Sequence, residues 1–199
     1  MADLEKTRKN LEGRGFRVHR FASGAEAAEF LVQTLHGTSI GIGGSVTIDT
    51  LGVYDRLCGS NEVLWHWKNH APETRERAGK AETYLCSANG VSENGEIVNI
   101  DGFGNRVAGT IYGPERVFLV VGRNKIAPDL TGAIDRARNI AAPLNARRLS
   151  RHTPCAVGEP RCHDCRSPEK VCGVMTVFFM PPTSIKEFHV ILVDEDLGY

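Results

Sequence analysis

The chain has 199 residues, 41% hydrophobic and 24% charged, which fits one globular domain of about 100–200 residues and excludes a disordered chain. Twenty-four Lys and Arg cancel 24 Asp and Glu, so the basic field of a dedicated nucleic-acid binder is missing and nucleic acid is not an expected partner. No apolar run approaches the roughly 18 residues that span a bilayer, and MADLEKTRKN has no apolar stretch to act as an export signal; the expectation is a cytoplasmic protein without a membrane partner.

In chain order, residues 3–14 (DLEKTRKNLEGR) read as a polar helix closed by Gly13 and Gly15, and FRVHRF (16–21) alternates as a strand. Ser23 and Glu26 have capping-box spacing ahead of a helix with Ala27, Leu31 and Leu35 on one face. SIGIGG (39–44) is a short buried strand running into glycines. TIDTLGVYDRL (47–57) reads as the next helix, EVLWHW (62–67) as a strand, and Pro72 opens a polar helix to about residue 81. TYLCSA (83–88) and EIVNI (96–100) flank Asn94-Gly95, a dipeptide that accepts the positive φ angles of a tight hairpin turn. A short helix from about Gly104 stops at Gly113-Pro114, and RVFLVV (116–121) is the clearest buried strand. Asp129 caps a longer helix with Leu130, Ile134, Ala137, Ala141 and Leu144 on its inner face, bent or ended near Pro143. VMTVFFM (174–180) and FHVILV (188–193) close the chain as strands. Strands alternating with helices predict an α/β fold over residues 1–199, a mostly parallel sheet with helices on both faces. In such sheets ligands sit beyond the carboxyl ends of the strands.

Three loops are expected there. Gly41-Ile42-Gly43-Gly44-Ser45-Val46-Thr47 joins a strand to a helix through glycines and hydroxyls; backbone amides of Gly43 and Gly44 with Ser45 and Thr47 suit an anion. It is neither a phosphate-binding Walker loop nor a full dinucleotide fingerprint. Asp101, Asn105 and Arg106 lie in the second loop, where the arginine is a candidate anion clamp. Asn124 and Lys125, with Arg123, follow the strand RVFLVV directly. Each loop also reads as an ordinary solvated turn; their shared place on one sheet edge favours a common cleft.

Cys155, Cys162, Cys165 and Cys172 fall in one segment with spacing C-x6-C-x2-C-x6-C, wrapped by Pro154, Gly158, Pro160, Pro168 and Gly173. Four thiolates complete a tetrahedral set without help from elsewhere, so the reading is one metal centre, with zinc and [4Fe–4S] not separated by spacing and two disulfides as the alternative. His152 and His163 are spare ligands or surface histidines. Cys58 and Cys86 read as packing residues. Arg136, Arg138, Arg147, Arg148 and Arg151 read as a solvated helix face, because no aromatics interleave them.

GIGGSVTIDTLG (41–52), NGEIVNIDGFGNRVAGTIYGPERVFLVVGRNKI (94–126), the cysteine segment and FHVILVDEDLGY (188–199) together resemble the lactate-utilization (LUD) domain family, over the chain past about residue 15. The resemblance implies the ribose-5-phosphate isomerase/CoA-transferase-like α/β architecture, a role in organic-acid metabolism, and an iron–sulfur protein as redox partner; a homo-oligomer is compatible with it. In the wider fold group, isomerases hold phosphate on a loop matched in type by Gly43, Gly44, Ser45 and Thr47. CoA-transferases acylate a glutamate in a motif spelled here by Ser92-Glu93-Asn94-Gly95, which makes Glu93 a candidate nucleophile. Three readings stand: a LUD-domain protein binding a small anionic metabolite, a CoA-transferase or sugar-phosphate isomerase using the same cleft, and a metal-stabilised interaction module without catalysis. The sequence leaves open whether the protein is an enzyme.

Overall fold

The computed structural model describes residues 2–199. In chain order its strands are β1 (Arg17–Phe21), β2 (Ser39–Ile42), β3 (Glu62–Trp65), β4 (Thr83–Cys86), β5 (Gly90–Ser92), β6 (Ile97–Asp101), β7 (Arg116–Gly122), β8 (Ile126–Ala127), β9 (Val174–Phe178) and β10 (Glu187–Val193). The helices are α1 (Leu4–Gly13), α2 (Gly24–Thr34), α3 (Val46–Thr50), α4 (Tyr54–Cys58), α5 (Thr74–Gly79), α6 (Asn105–Ile111), α7 (Leu130–Arg136), α8 (Ala142–Arg148) and α9 (Pro154–Val157). Six strands form one all-parallel sheet in the order β1-β10-β7-β4-β2-β3. A second sheet has the order β8-β5-β6-β9, with β6 antiparallel to both β5 and β9.

The centre of the main sheet is β7, paired along its whole length with β10 and on its other side with β4. Its run of β-branched and aromatic residues is buried on both faces, as a central parallel strand requires. Val117, Leu119 and Val121 point into one core with Tyr84, Cys86 and Val190, while Phe118 and Val120 point into another with Ile42, Leu85 and Ile191. Helices α2, α3 and α4 cover the second of these faces. The first is covered by α1 together with Val91, Ile97 and Phe178 of the small sheet. That sheet in turn packs Val98 and Ile100 against Ala133, Ala137 and Ala142.

Helix starts follow their caps: Asp3, Ser23 and Asp129 accept the amides of Lys6, Glu26 and Gly132 at 2.8–3.2 Å. Several expectations change. The segment 47–57 is two short helices, because Leu51-Gly52 breaks it with Gly52 at φ +63°. Cys58 ends the second of them exposed, not packed. Asn94-Gly95 does turn a hairpin, with Gly95 at φ +91°, but its first strand is β5; TYLC belongs to the main sheet as β4. The helix after Asp129 continues past Pro143 through a π-helical turn, Ala137–Ala141, that rotates the later residues. The buried face is therefore Ala133, Ala137, Ala141, Ala142 and Ala146, and Leu144 is 38% exposed. No helix among the described residues is long and apolar enough to cross a membrane.

Candidate functional site

Because the main sheet is parallel, the chain leaves β2, β4 and β7 at the same edge. These exits carry Gly44–Thr47, Ser87–Asn89 and Lys125. From the small sheet, β6 delivers Asp101 to the same place and runs into α6 with Asn105 and Arg106. Together they line a cavity of about 410 Å³ whose wall also includes Trp67, Asn145, Arg148, Lys170 and Tyr199. Of the residues singled out in the sequence, Gly44, Ser45, Thr47, Asp101, Asn105, Arg106 and Lys125 line it. Gly43 and Asn124 do not. Gly43 lies just behind, where a Cβ would stand 2.9 Å from both the Arg106 side chain and the Tyr84 hydroxyl. Asn124 instead ties down the chain end, donating to the Gly198 carbonyl and accepting from the Leu197 amide.

Within the cavity each polar group has a traceable duty. Ser45 Oγ caps α3, accepting the Ile48 amide at 3.3 Å. Asp101 spends both carboxylate oxygens on backbone, accepting the amides of Gly102 at 2.8 Å and Arg106 at 2.9 Å. The Arg106 guanidinium donates to Asn89 Oδ1 and the Ile100 carbonyl. Arg148 donates to Asn145 Oδ1 and the Tyr199 hydroxyl and lies over the Trp67 ring, 4.6 Å from its centroid. Glu169 accepts the His152 amide. Five cationic side chains, Arg75, Arg106, Arg148, Arg151 and Lys170, thus line the cavity against two carboxylates that are already engaged. A low-dielectric pocket with that balance favours an anion.

Lys125 stands apart. It is 2% exposed, and its Nζ donates to Thr47 Oγ1 at 2.7 Å and Ser87 Oγ at 2.8 Å. Burial, then the neighbouring Arg136 and Arg106, push its pKa well below the ordinary lysine value. The nearby Cys86 thiol is buried and pushed up to about 12, so it brings no negative charge at neutral pH.

The arginine run is a solvated face at Arg138, Arg147, Arg148 and Arg151, which are exposed, but not at Arg136. Arg136 is buried and donates to the carbonyls of Asn124 and Asn89, bracing two cavity loops, and Arg148 and Arg151 line the cavity. Sequence reasoning missed Ser87, Asn89, Trp67, Arg148 and Tyr199, which lie far apart along the chain. The single available signal was placement: Ser87 and Asn89 follow β4 as closely as Lys125 follows β7. Glu93 is elsewhere. Its carboxylate accepts the Asp3 amide at 3.0 Å and pairs with Lys6 at 3.1 Å, contacts that hold its pKa below the usual carboxylate range.

The cysteine segment leaves α8 and leans over the cavity. A Cβ on Gly102 would stand 2.7 Å from Val171 Cα, and Pro168–Val171 form part of the cavity wall. All four cysteines are unpaired and half-buried. Cys162 Sγ accepts from the Asp164 amide and from Arg138, with Asp164 in the left-handed region at φ 47°. The Cys172 thiol is raised chiefly by burial, with Lys170 lowering it and the other three cysteines raising it further. Among the described residues no three His, Cys, Asp or Glu side chains are arranged to hold a metal ion. The segment carries four thiols, with an amide and a guanidinium directed at Cys162 Sγ.

A parallel six-stranded sheet backed by a small mixed sheet, with a cationic cavity where the two meet, defines the class: an α/β protein with its candidate site at the carboxyl edge. The sequence matches the LUD domain family over residues 4–193, and the chain belongs to that family. The fold is similar to the crystal structure of a DUF162 family protein from Deinococcus radiodurans, with a TM-score of 0.56 at 14% identity over 96% of this chain and 95% of that one. No curated protein matches the sequence.

Proposed function

We propose that this LUD-domain protein binds a small anionic metabolite, of the organic-acid class, in the cavity at the sheet edge. The observation that carries the reading is the excess of cationic over acidic side chains around one cavity, with both acids engaged by the protein itself. Arg148, stacked on Trp67 and reaching the cavity from α8, is the group assigned to the ligand's charge, with Ser45, Thr47 and Asn105 beside it. The organic-acid assignment, a cytoplasmic setting and an iron–sulfur redox partner rest on family membership.

The proposal includes one metal held by Cys155, Cys162, Cys165 and Cys172. What supports it is the spacing of the four thiols within the one segment 155–172 and the donors on Cys162. Because Val171 backs Gly102, ordering this segment would also firm the cavity wall. The CoA-transferase reading loses its nucleophile, since Glu93 is paired with Lys6 and does not line the cavity.

Calorimetric titration of the protein with pyruvate, lactate and inorganic phosphate tests the cavity. Saturable binding of at least one, weakened in Arg148→Gln, is expected. No binding by any of the three, or equal binding in the variant, would overturn the assignment.

A further inference from the structure

We propose that Lys125 is a nucleophilic amine that forms an imine with the carbonyl carbon of a small carbonyl-bearing anion in the cavity. The inference deepens the cavity reading and rests on it: it names the substrate class as a 2-oxo acid or a keto phosphate.

The hydrogen bonds determine the state of the amine. Thr47 Oγ1 donates its proton to the Leu197 carbonyl at 3.2 Å, and Ser87 Oγ donates to the Val120 carbonyl at 2.6 Å. Each hydroxyl has only one proton, so both must accept from Lys125. That occupies two N–H bonds of the amine. A neutral amine then has its lone pair left over. An ammonium would have a third N–H with no acceptor in a buried site, and no carboxylate stands within ion-pairing distance of it among the described residues. The two arginines nearest in charge, Arg136 and Arg106, also oppose a third positive charge. Burial alone would leave an inert lysine, but this one forms part of the cavity lining together with Thr47 and Ser87. The amine and the arginines therefore line one cavity.

In the step, the Nζ lone pair adds to the carbonyl carbon while the C=O π pair moves to oxygen. A proton passes from nitrogen to that oxygen to give a carbinolamine; with one further proton from solvent the hydroxyl leaves as water, and a protonated imine remains on Lys125. No oxidant or reductant is consumed. The carboxylate or phosphate of the substrate stays with the arginines, whose charge offsets the acid's and holds the carbonyl near the amine.

The test is reductive trapping of the full-length protein at neutral pH with cyanoborohydride and, separately, pyruvate or dihydroxyacetone phosphate. Peptide mass mapping should find Lys125 modified by the mass of the added compound less one oxygen, at least tenfold above Lys6, Lys9, Lys68, Lys80 and Lys186, which serve as internal controls because they lie in surface ion pairs. Pyruvate as the better adduct-former identifies a 2-oxo acid site; dihydroxyacetone phosphate identifies a keto phosphate site. Calorimetry on the same samples separates the two claims. Binding without trapping on Lys125 overturns the imine and leaves the cavity reading standing, and neither binding nor trapping overturns both. Labelling spread evenly over the lysines overturns the imine.

Discussion

Replacing Lys125 by Met removes the amine while keeping an unbranched stem in the same space, and the consequence can be worked out as a pH dependence. In the unfolded chain a lysine stays protonated up to about pH 10.4. In the fold burial, Arg136 and Arg106 depress its pKa well below that value. Between the two values the unfolded state binds one proton more than the native state, so unfolding free energy rises with pH at about 1.4 kcal/mol per unit. The stability tied to this group is fully present above the unfolded value and is lost as pH falls toward the folded one. At pH values between the folded and unfolded pKa the wild type should gain up to about 1.4 kcal/mol per pH unit relative to Lys125→Met. Taking the difference between the two proteins cancels titrations not coupled to Lys125, such as those of His19, His66 and His189, whose pKa values burial lowers. Urea denaturation of both proteins at closely spaced pH values measures the difference directly. The variant should be the relatively more stable protein at the acidic end, with its advantage shrinking as pH rises. Parallel stability curves, or a difference that moves the other way, would mean that Lys125 is charged in the native state, and the hydrogen-bond argument for a free lone pair would fail with it.

Arg148→Gln should weaken anion binding by about 1.5–3 kcal/mol, the range for a hydrogen bond to a charged group, read by calorimetry, with little change in thermal midpoint. Glu93→Gln should leave hydroxylamine-sensitive acylation by acyl-CoA absent, as it is expected to be in the wild type, because the carboxylate is held at the surface by Lys6 and the Asp3 amide; an adduct on Glu93 in mass spectra would reverse that conclusion. Cys162→Ser or Cys165→Ser should lower bound zinc or iron after anaerobic purification and raise protease cleavage within 155–172 while the sheet core stays folded, since a thiolate site loses affinity with each ligand. Gly41→Ala should destabilise the protein by several kcal/mol, roughly the upper end for single substitutions. Its Cβ would fall 1.9 Å from the Ala78 carbonyl oxygen, where only backbone could move; a normal denaturation midpoint would show that β2 and α5 are not packed as described.

The strands of the main sheet, their parallel arrangement and the starts of α1, α2 and α7 were legible in the chain because they depend on local chemistry, whereas β5 and β8 of the small sheet were not. RVFLVV is buried on both faces wherever it is placed, and Asp3, Ser23 and Asp129 cap the helices that follow them. The carboxyl-edge position of Gly44–Thr47, Asp101–Arg106 and Lys125 follows from strand order along the sequence plus the one-sidedness of a parallel sheet. What the linear pattern could not reveal depends on contacts between distant segments. Whether Glu93 is free or tied depends on α1 lying beside the hairpin, some 90 positions away in sequence. Whether Arg148 faces solvent or the cavity depends on a π-turn that rotates α8 after Ala141. The state of Lys125 is the sharpest case. A lysine in the string GRNK reads equally as an anion-binding group at the sheet edge or as part of a solvated turn, and only the fold brings Thr47, Ser87 and two carbonyl acceptors around it. Residue type determines what a group can do; desolvation and the count of available acceptors determine its protonation, and those exist only once the chain has closed around it.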